Sequence, residues 1–164
     1  MHSRLALTLF SLALAGAAAA QAPPPVKPTF PTDKTPNGVA DWVIKNLKVD
    51  GLTVIAARPT VSVWMAPDVD RDALPRVRFW ERQEVLDAAI ETELGARSLR
   101  VQKQIDCDRK LVRTLFVARY EGNNLTGFKD STGAEDRSFP ITPEMHETAE
   151  MALACATTPA PPPA

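Results

Sequence analysis

The sequence predicts an α+β fold: an antiparallel sheet of about five or six strands with a C-terminal helix packed on it and tied by a disulfide. Three observations carry this. Segments alternating apolar and polar residues follow one another from Leu52 to Phe128 with short connections, as an antiparallel meander requires. A helical period is clear once, near the C-terminus. Two cysteines, Cys107 and Cys155, fall on the apolar side of a strand and on the apolar stripe of that helix.

The 164-residue chain opens with Arg4 in a short n-region, an apolar run from Leu5 to Leu14, and a string of small residues. This is the layout of a secretory signal peptide over residues 1–20, with cleavage expected after Ala20. An apolar core of about ten residues is half of what a bilayer-spanning helix needs, so no membrane span is expected. No cysteine precedes Cys107, so the expectation is an exported protein, periplasmic or secreted, not lipid-anchored. Residues 21–38 and 157–164 hold ten of the fifteen prolines and read as disordered, polyproline-like tails. Residues 39–156 are left as the folded domain.

Within it, LTVIAA and VSVWMA flank Arg58-Pro59 as two β-branched, apolar runs. RVRFWERQEV places Val77 and Phe79 on one face, with Arg76, Arg78, Trp80 and Arg82 on the other. EVLDAAIETEL has a short helical period with Leu86, Ala89, Ile90 and Leu94 on one side. SLRVQKQIDC sets Leu99, Val101, Ile105 and Cys107 against Arg100, Gln102, Gln104 and Asp106. LVRTLFVARY aligns Val112, Thr114, Phe116, Ala118 and Tyr120, and turn residues then lead to a short strand at Phe128. In TPEMHETAEMALACA, Thr142 is the expected N-cap and Pro143 the first helical residue. Met145, Ala149, Ala152 and Cys155 or Ala156 form the expected buried stripe.

Composition excludes several classes. Loss of residues 1–20 leaves 18 basic and 20 acidic residues, a formal charge of −2. Such a balance gives no global field for nucleic acid or anionic lipid. Zinc-finger, phosphate-loop and dinucleotide signatures are absent, and no cofactor is expected. Asn124-Leu125-Thr126 matches a glycosylation sequon, which matters only in a eukaryotic secretory pathway.

Cys107 has three readings. As a nucleophile it is poorly served, because Asp106 and Asp108 flank it and nearby negative charge raises a thiol's pKa. A metal site drawn from Cys107, His146 and Cys155 is one ligand short of a structural zinc pattern. His146 and Glu150 stand one helical turn apart, which an exposed helix face explains equally well. A disulfide to Cys155 suits the oxidising compartment, the even count and two inward-facing positions, and is the expected state.

Three stretches carry a resemblance: VRFWERQEV, SLRVQKQIDCDRKLVRTLFVARYEGNNLTG and FPITPEMHETAEMALAC. In order and spacing the segment from Leu52 to Cys155 resembles the surface-adhesin protein E-like domain of bacterial envelope proteins. The resemblance implies a C-terminal helix bridged to the sheet, with Cys107 and Cys155 matching that bridge. It further implies binding to host matrix or plasma proteins and allows a homodimer. This chain departs from the pattern in lacking a lipidated cysteine, and TPEM replaces the usual Pro-Gly-Ser turn.

Two surfaces follow from the alternation. Seven basic residues lie between Arg97 and Tyr120 against two acids, yet alternating strands prevent all seven from sharing a face. Arg76, Arg78, Trp80, Arg100 and Arg113 are the candidate binding residues. Trp64 and Trp80 sit on the polar sides of their strands, where exposed tryptophans would mark a contact or dimer surface, and the equal alternative is that a loop or tail partly covers that face. The function expected is a non-enzymatic, exported adhesin-like binding module whose partner is an unknown protein or acidic glycan. The alternative is a periplasmic structural or inhibitory protein docking on another protein, and a thiol enzyme using Cys107 ranks last.

Overall fold

Six antiparallel strands run in sequence order across one sheet: β1 (Thr53–Ala57), β2 (Val61–Ala73), β3 (Arg76–Val85), β4 (Ser98–Asp106), β5 (Leu111–Tyr120) and β6 (Phe128–Gly133). A two-residue β7 (Phe139–Pro140) pairs with the start of β5. Three helices complete the chain: α1 (Pro36–Asn46), α2 (Ala88–Leu94) and α3 (Glu147–Ala154). This computed structural model describes residues 24–133 and 137–156. The expected signal peptide and the C-terminal tail lie outside the described residues. Among the described residues no helix is long and apolar enough to cross a membrane.

The meander exists because its strands alternate in step. Val77 pairs with Ile105, Phe79 with Lys103 and Glu81 with Val101 across β3 and β4. Their side chains form the inner face, where Val77, Phe79 and Ile105 are fully buried with Met65, Val112 and Ala154 of α3. Burying each such large apolar side chain contributes about 1.5–3 kcal/mol. The bridge between Cys107 and Cys155 spans 48 residues with its Cα atoms 5.9 Å apart, and joins the end of β4 to the end of α3.

Four local expectations are corrected. Between β4 and β5 the register shifts at Gln102 and Lys103 and skips Leu115 of β5. Thr114 therefore faces inward opposite Lys103, while Phe116 lies outward opposite Gln102, so the five residues read as one face divide at a bulge.

Helix α3 starts later than expected. Thr142 closes a turn instead, its carbonyl accepting from Met145 N–H (3.1 Å) and the Thr148 hydroxyl (2.8 Å). Of the expected stripe, Met145 and Cys155 pack against the core together with Met151, whereas Ala149 and Ala152 face solvent and the buried positions of the helix are Glu147, Glu150 and Ala154. Charge demand from Lys103, described below, outweighs side-chain apolarity in choosing that face.

Residues 24–38, assigned above to a tail, lie against the domain. Val26 N–H donates to Thr126 Oγ1 (2.9 Å) and its carbonyl accepts from Asn123 N–H (2.8 Å). The Pro28 carbonyl accepts from Arg97 Nη1 at 3.0 Å, and the Arg97 guanidinium lies 3.6 Å above the Phe30 ring. Gly122 permits this crossing, since a Cβ there would stand 2.6 Å from the Val26 carbonyl oxygen.

The fourth correction is α1, which the proline-rich composition concealed. Thr35 caps it by accepting from Gly38 N–H at 3.2 Å, and Pro36 occupies its first turn. Val39, Val43 and Leu47, four residues apart, bury their side chains with Leu86 against Trp42, Val49 and Trp64. Trp64 therefore belongs to a core, not to an open contact surface.

Candidate functional site

Beyond the end that α1 covers, the outer face of β3, β4 and β5 is polar and accessible. Arg76 pairs with Asp106, Arg78 with Gln104, Trp80 with Gln102 and Arg82 with Arg100. On β5, Arg113 stands opposite Gln104 and Phe116 opposite Gln102. Strict alternation therefore brings all five candidate residues, Arg76, Arg78, Trp80, Arg100 and Arg113, onto one face.

Trp80 is its centre. On its other side β2 pairs Met65 with Glu81 and Val69 with Phe79, so Ala66, Pro67 and Asp68 bulge out opposite this single residue. Pro67 lacks an N–H to pair and fits such a bulge. The bulge walls a cleft of about 500 Å³ bordered by Asp68, Asp70, Arg78, Trp80 and Gln102. A second cleft of about 240 Å³, sharing Asp68 and Trp80, extends to Arg100 and Leu125. The Arg100 guanidinium lies 4.2 Å over the indole, and the Phe116 ring meets it edge-on at 6.1 Å. Arg78 pairs with Asp70 at 3.3 Å, Arg76 with Asp106 at 3.6 Å, and Arg113 Nε donates to Gln104 Oε1 at 2.9 Å.

The seven-residue basic stretch is divided. Arg100 and Arg113 point outward and Lys103 inward. Arg97 is buried against Phe30 with Glu91 at 2.7 Å, and Arg119 pairs with Asp130 at 2.6 Å. Arg109 and Lys110 occupy the exposed β4–β5 turn.

Alternation also places charge on the apolar face, which the sequence reading passed over. Lys103 is buried, and its Nζ donates to Glu81, to Glu147 Oε1 (2.8 Å) and to Glu150 Oε2 (3.1 Å). His146 Nε2 lies 3.0 Å from that nitrogen and 3.2 Å from Glu81 Oε2. Helix α3 thus turns His146, Glu147 and Glu150 toward the sheet, not to an exposed face. The signal was there: Glu81 and Lys103 occupy apolar-parity positions, and a buried charge needs a partner.

Burial opposes ionisation of Glu81, but hydrogen bonds with Glu150 and His146 and the Lys103 ammonium hold its pKa well below the ordinary carboxylate range. Burial, then the hydrogen bond to Glu81 and its charge, push Glu150 up to about 10. Burial also works against the Lys103 charge, yet Glu81, Glu150 and Glu147 keep it firmly protonated. Glu81, His146 and Glu150 bring three potential metal-ligand atoms within 4.8 Å of one another. The Lys103 ammonium already lies among them and supplies the balancing cation. Cys107 and Cys155, joined to each other, offer neither a thiolate ligand nor a nucleophile in this state.

A third network fixes the loop after β5. Buried Glu84, whose pKa burial raises, accepts from Asn123 Nδ2 (2.8 Å) and from Asn124 N–H (3.0 Å). Asn124 Oδ1 accepts from Lys48 N–H and Arg82 Nη2, and its Nδ2 donates to the Asn46 carbonyl. The amide of the sequon is thus engaged through both its oxygen and its nitrogen in holding α1 and the loop to the sheet.

The family model described as surface-adhesin protein E matches residues 53–156. Among solved structures, Haemophilus influenzae protein E is similar at 14% identity, over 79% of this chain and 92% of that one, with a TM-score of 0.48. A second crystal form of the same protein gives 15% identity over 65% and 87%, with a TM-score of 0.47. No curated protein matches. The chain belongs to the surface-adhesin protein E family.

Proposed function

We propose that this protein is an exported, non-enzymatic binding module of the bacterial envelope that engages an external partner, a protein or an acidic glycan, through the outer face of β3–β5. Family membership supports the adhesin-like role. The observation that carries the choice of face is the Arg100–Trp80 stack beside the β2 bulge. Trp and Arg are the residues most enriched at binding hot spots, and here they sit on the sheet face away from α3. Lys103 and its acids serve a different role, holding α3 to the sheet.

Export and adhesion are tested on one preparation. Protein recovered outside the cytoplasm should have the mass of a chain beginning at Gln21, without a lipid. Its adsorption to immobilised extracellular matrix should fall when Trp80→Ala or Arg100→Gln is introduced, with the circular dichroism spectrum unchanged. Retention of the uncleaved leader, or matrix binding that ignores both substitutions, defeats the reading.

A further inference from the structure

The groove at Trp80 has a composition that narrows the chemistry of its occupant. Its floor and walls combine an aromatic ring, a planar amide, guanidinium groups and carboxylates across three neighbouring strands, β2 to β4. Gln102 lies opposite Trp80, Arg78 and Asp70 pair at 3.3 Å, and Asp68 borders both clefts. Arg100 stacks on the indole and has no carboxylate partner among the described residues, so its donor fork is open to an anion.

Three classes of partner meet this surface differently. A dry protein–protein interface needs an apolar core, and here Trp80 and Phe116 are the half-buried aromatic residues set among polar neighbours. A nucleic acid presents a phosphate at every nucleotide but few free hydroxyls, so Asp68 and Asp70 would face anions without donors to accept from. A sugar chain presents hydroxyls, which donate to Asp68, Asp70 and the amide oxygen of Gln102, and flat C–H faces that pack on indole. Carboxylates or sulfates on that chain would meet Arg100 and Arg78. The two clefts share Asp68 and Trp80 as lining, an arrangement that suits a polymer crossing the face.

We propose that the Trp80 groove binds an acidic glycan, a polysaccharide whose hydroxyls meet Asp68, Asp70 and Gln102 while its anionic groups meet Arg100 and Arg78. This rests on the outer face being the ligand surface, and names the ligand class for it. The chain's overall charge is near neutral, so recognition is local to this groove.

The test uses the exported chain over immobilised heparin, hyaluronan and dextran, read by surface plasmon resonance, beside matrix adsorption of the same variants. Heparin or hyaluronan should bind and dextran should not, with affinity falling as salt rises from about 50 to about 300 mM. Arg100→Gln and Trp80→Ala should each weaken binding about tenfold or more. Trp80→Phe, which keeps a ring at the position, should weaken it less, and Arg119→Gln, in a pair with Asp130, should leave it unchanged. Equal capture by dextran, or heparin binding indifferent to Arg100 and Trp80, overturns the proposal. If no glycan binds but the same variants still lose matrix adsorption, the glycan assignment fails while the face remains the ligand site. If neither readout responds, both fail.

Discussion

Glu150 of α3 reaches Lys103 of β4 with Oε2 3.1 Å from Nζ, and its other oxygen, fully buried, has no hydrogen-bond partner among the described residues. An ionised carboxylate in that position would leave a buried oxygen without a donor and set a second negative charge beside ionised Glu81. The proton held by Glu150, shared toward ionised Glu81, removes that cost. The cluster is therefore a lysine facing ionised Glu81, protonated Glu150 and Glu147, with His146 at its rim.

Substitutions should separate these roles. Glu150→Gln replaces a protonated carboxyl by a neutral group of the same shape and spares the folded state the cost of keeping a proton that the unfolded chain has released, so stability at pH 7 is expected to be unchanged or higher than in the wild type. Lys103→Met strands ionised Glu81 and should cost about 3–5 kcal/mol. Urea denaturation at pH 7 checks both, and a large loss in Glu150→Gln would show that Glu150 is ionised.

The same cluster sets a pH dependence. Glu150, raised to about 10 in the folded state from 4.5, keeps a proton that the unfolded chain releases, so its contribution declines as pH climbs between those values. Glu84, also raised, acts in the same direction. Glu81 is lowered, so its contribution is present above 4.5 and is lost as pH falls below that. Together these groups place the stability maximum near about pH 5, with a decline toward alkaline pH. Glu150→Gln should flatten the alkaline side. Thermal melts from about pH 3 to about pH 9 test this, and an alkaline limb identical in wild type and variant contradicts it.

Reduction should release α3 in part. The bridge closes a loop spanning 48 residues, so its loss is expected to cost about 4 kcal/mol on a chain-entropy basis. Denaturant midpoints of the native protein and a Cys107→Ser, Cys155→Ser variant give the value. Alkylation of the native protein should label neither cysteine until a reductant is added.

The docked N-terminal segment predicts a local effect. Phe30→Ala removes the ring beneath the buried Arg97 guanidinium and should cost about 2 kcal/mol. Hydrogen exchange should then quicken at Asn123, whose amide donates to Val26. Unchanged exchange there would mean that Phe30 does not hold the segment in place.

Legibility in the sequence varied with the range of the interaction. Strands β3 and β4 were readable because Arg76–Val85 and Ser98–Asp106 alternate without interruption, and this alone gathered Arg76, Arg78, Trp80 and Arg100 on one face. Helix α1 was equally encoded, in Thr35-Pro36 and in Val39, Val43 and Leu47, but its proline-rich lead-in masked it. The β5 bulge at Leu115 left no local mark, because a skipped residue is set by what both neighbouring strands require.

Period, polarity and the two cysteines specified the meander, its two faces and its staple, since each depends on residues a few positions apart or on a single pairing. Where the α3 carboxylates point was settled across greater distances. Lys103 meets Glu81 from 22 residues away and Glu150 from 47, and the bulge at Ala66–Asp68 opens beside Trp80 only once β2 and β3 are in register. A buried ammonium outcompetes alanine for the helix face turned toward it, because leaving that charge unpaired costs more than exposing two methyl groups.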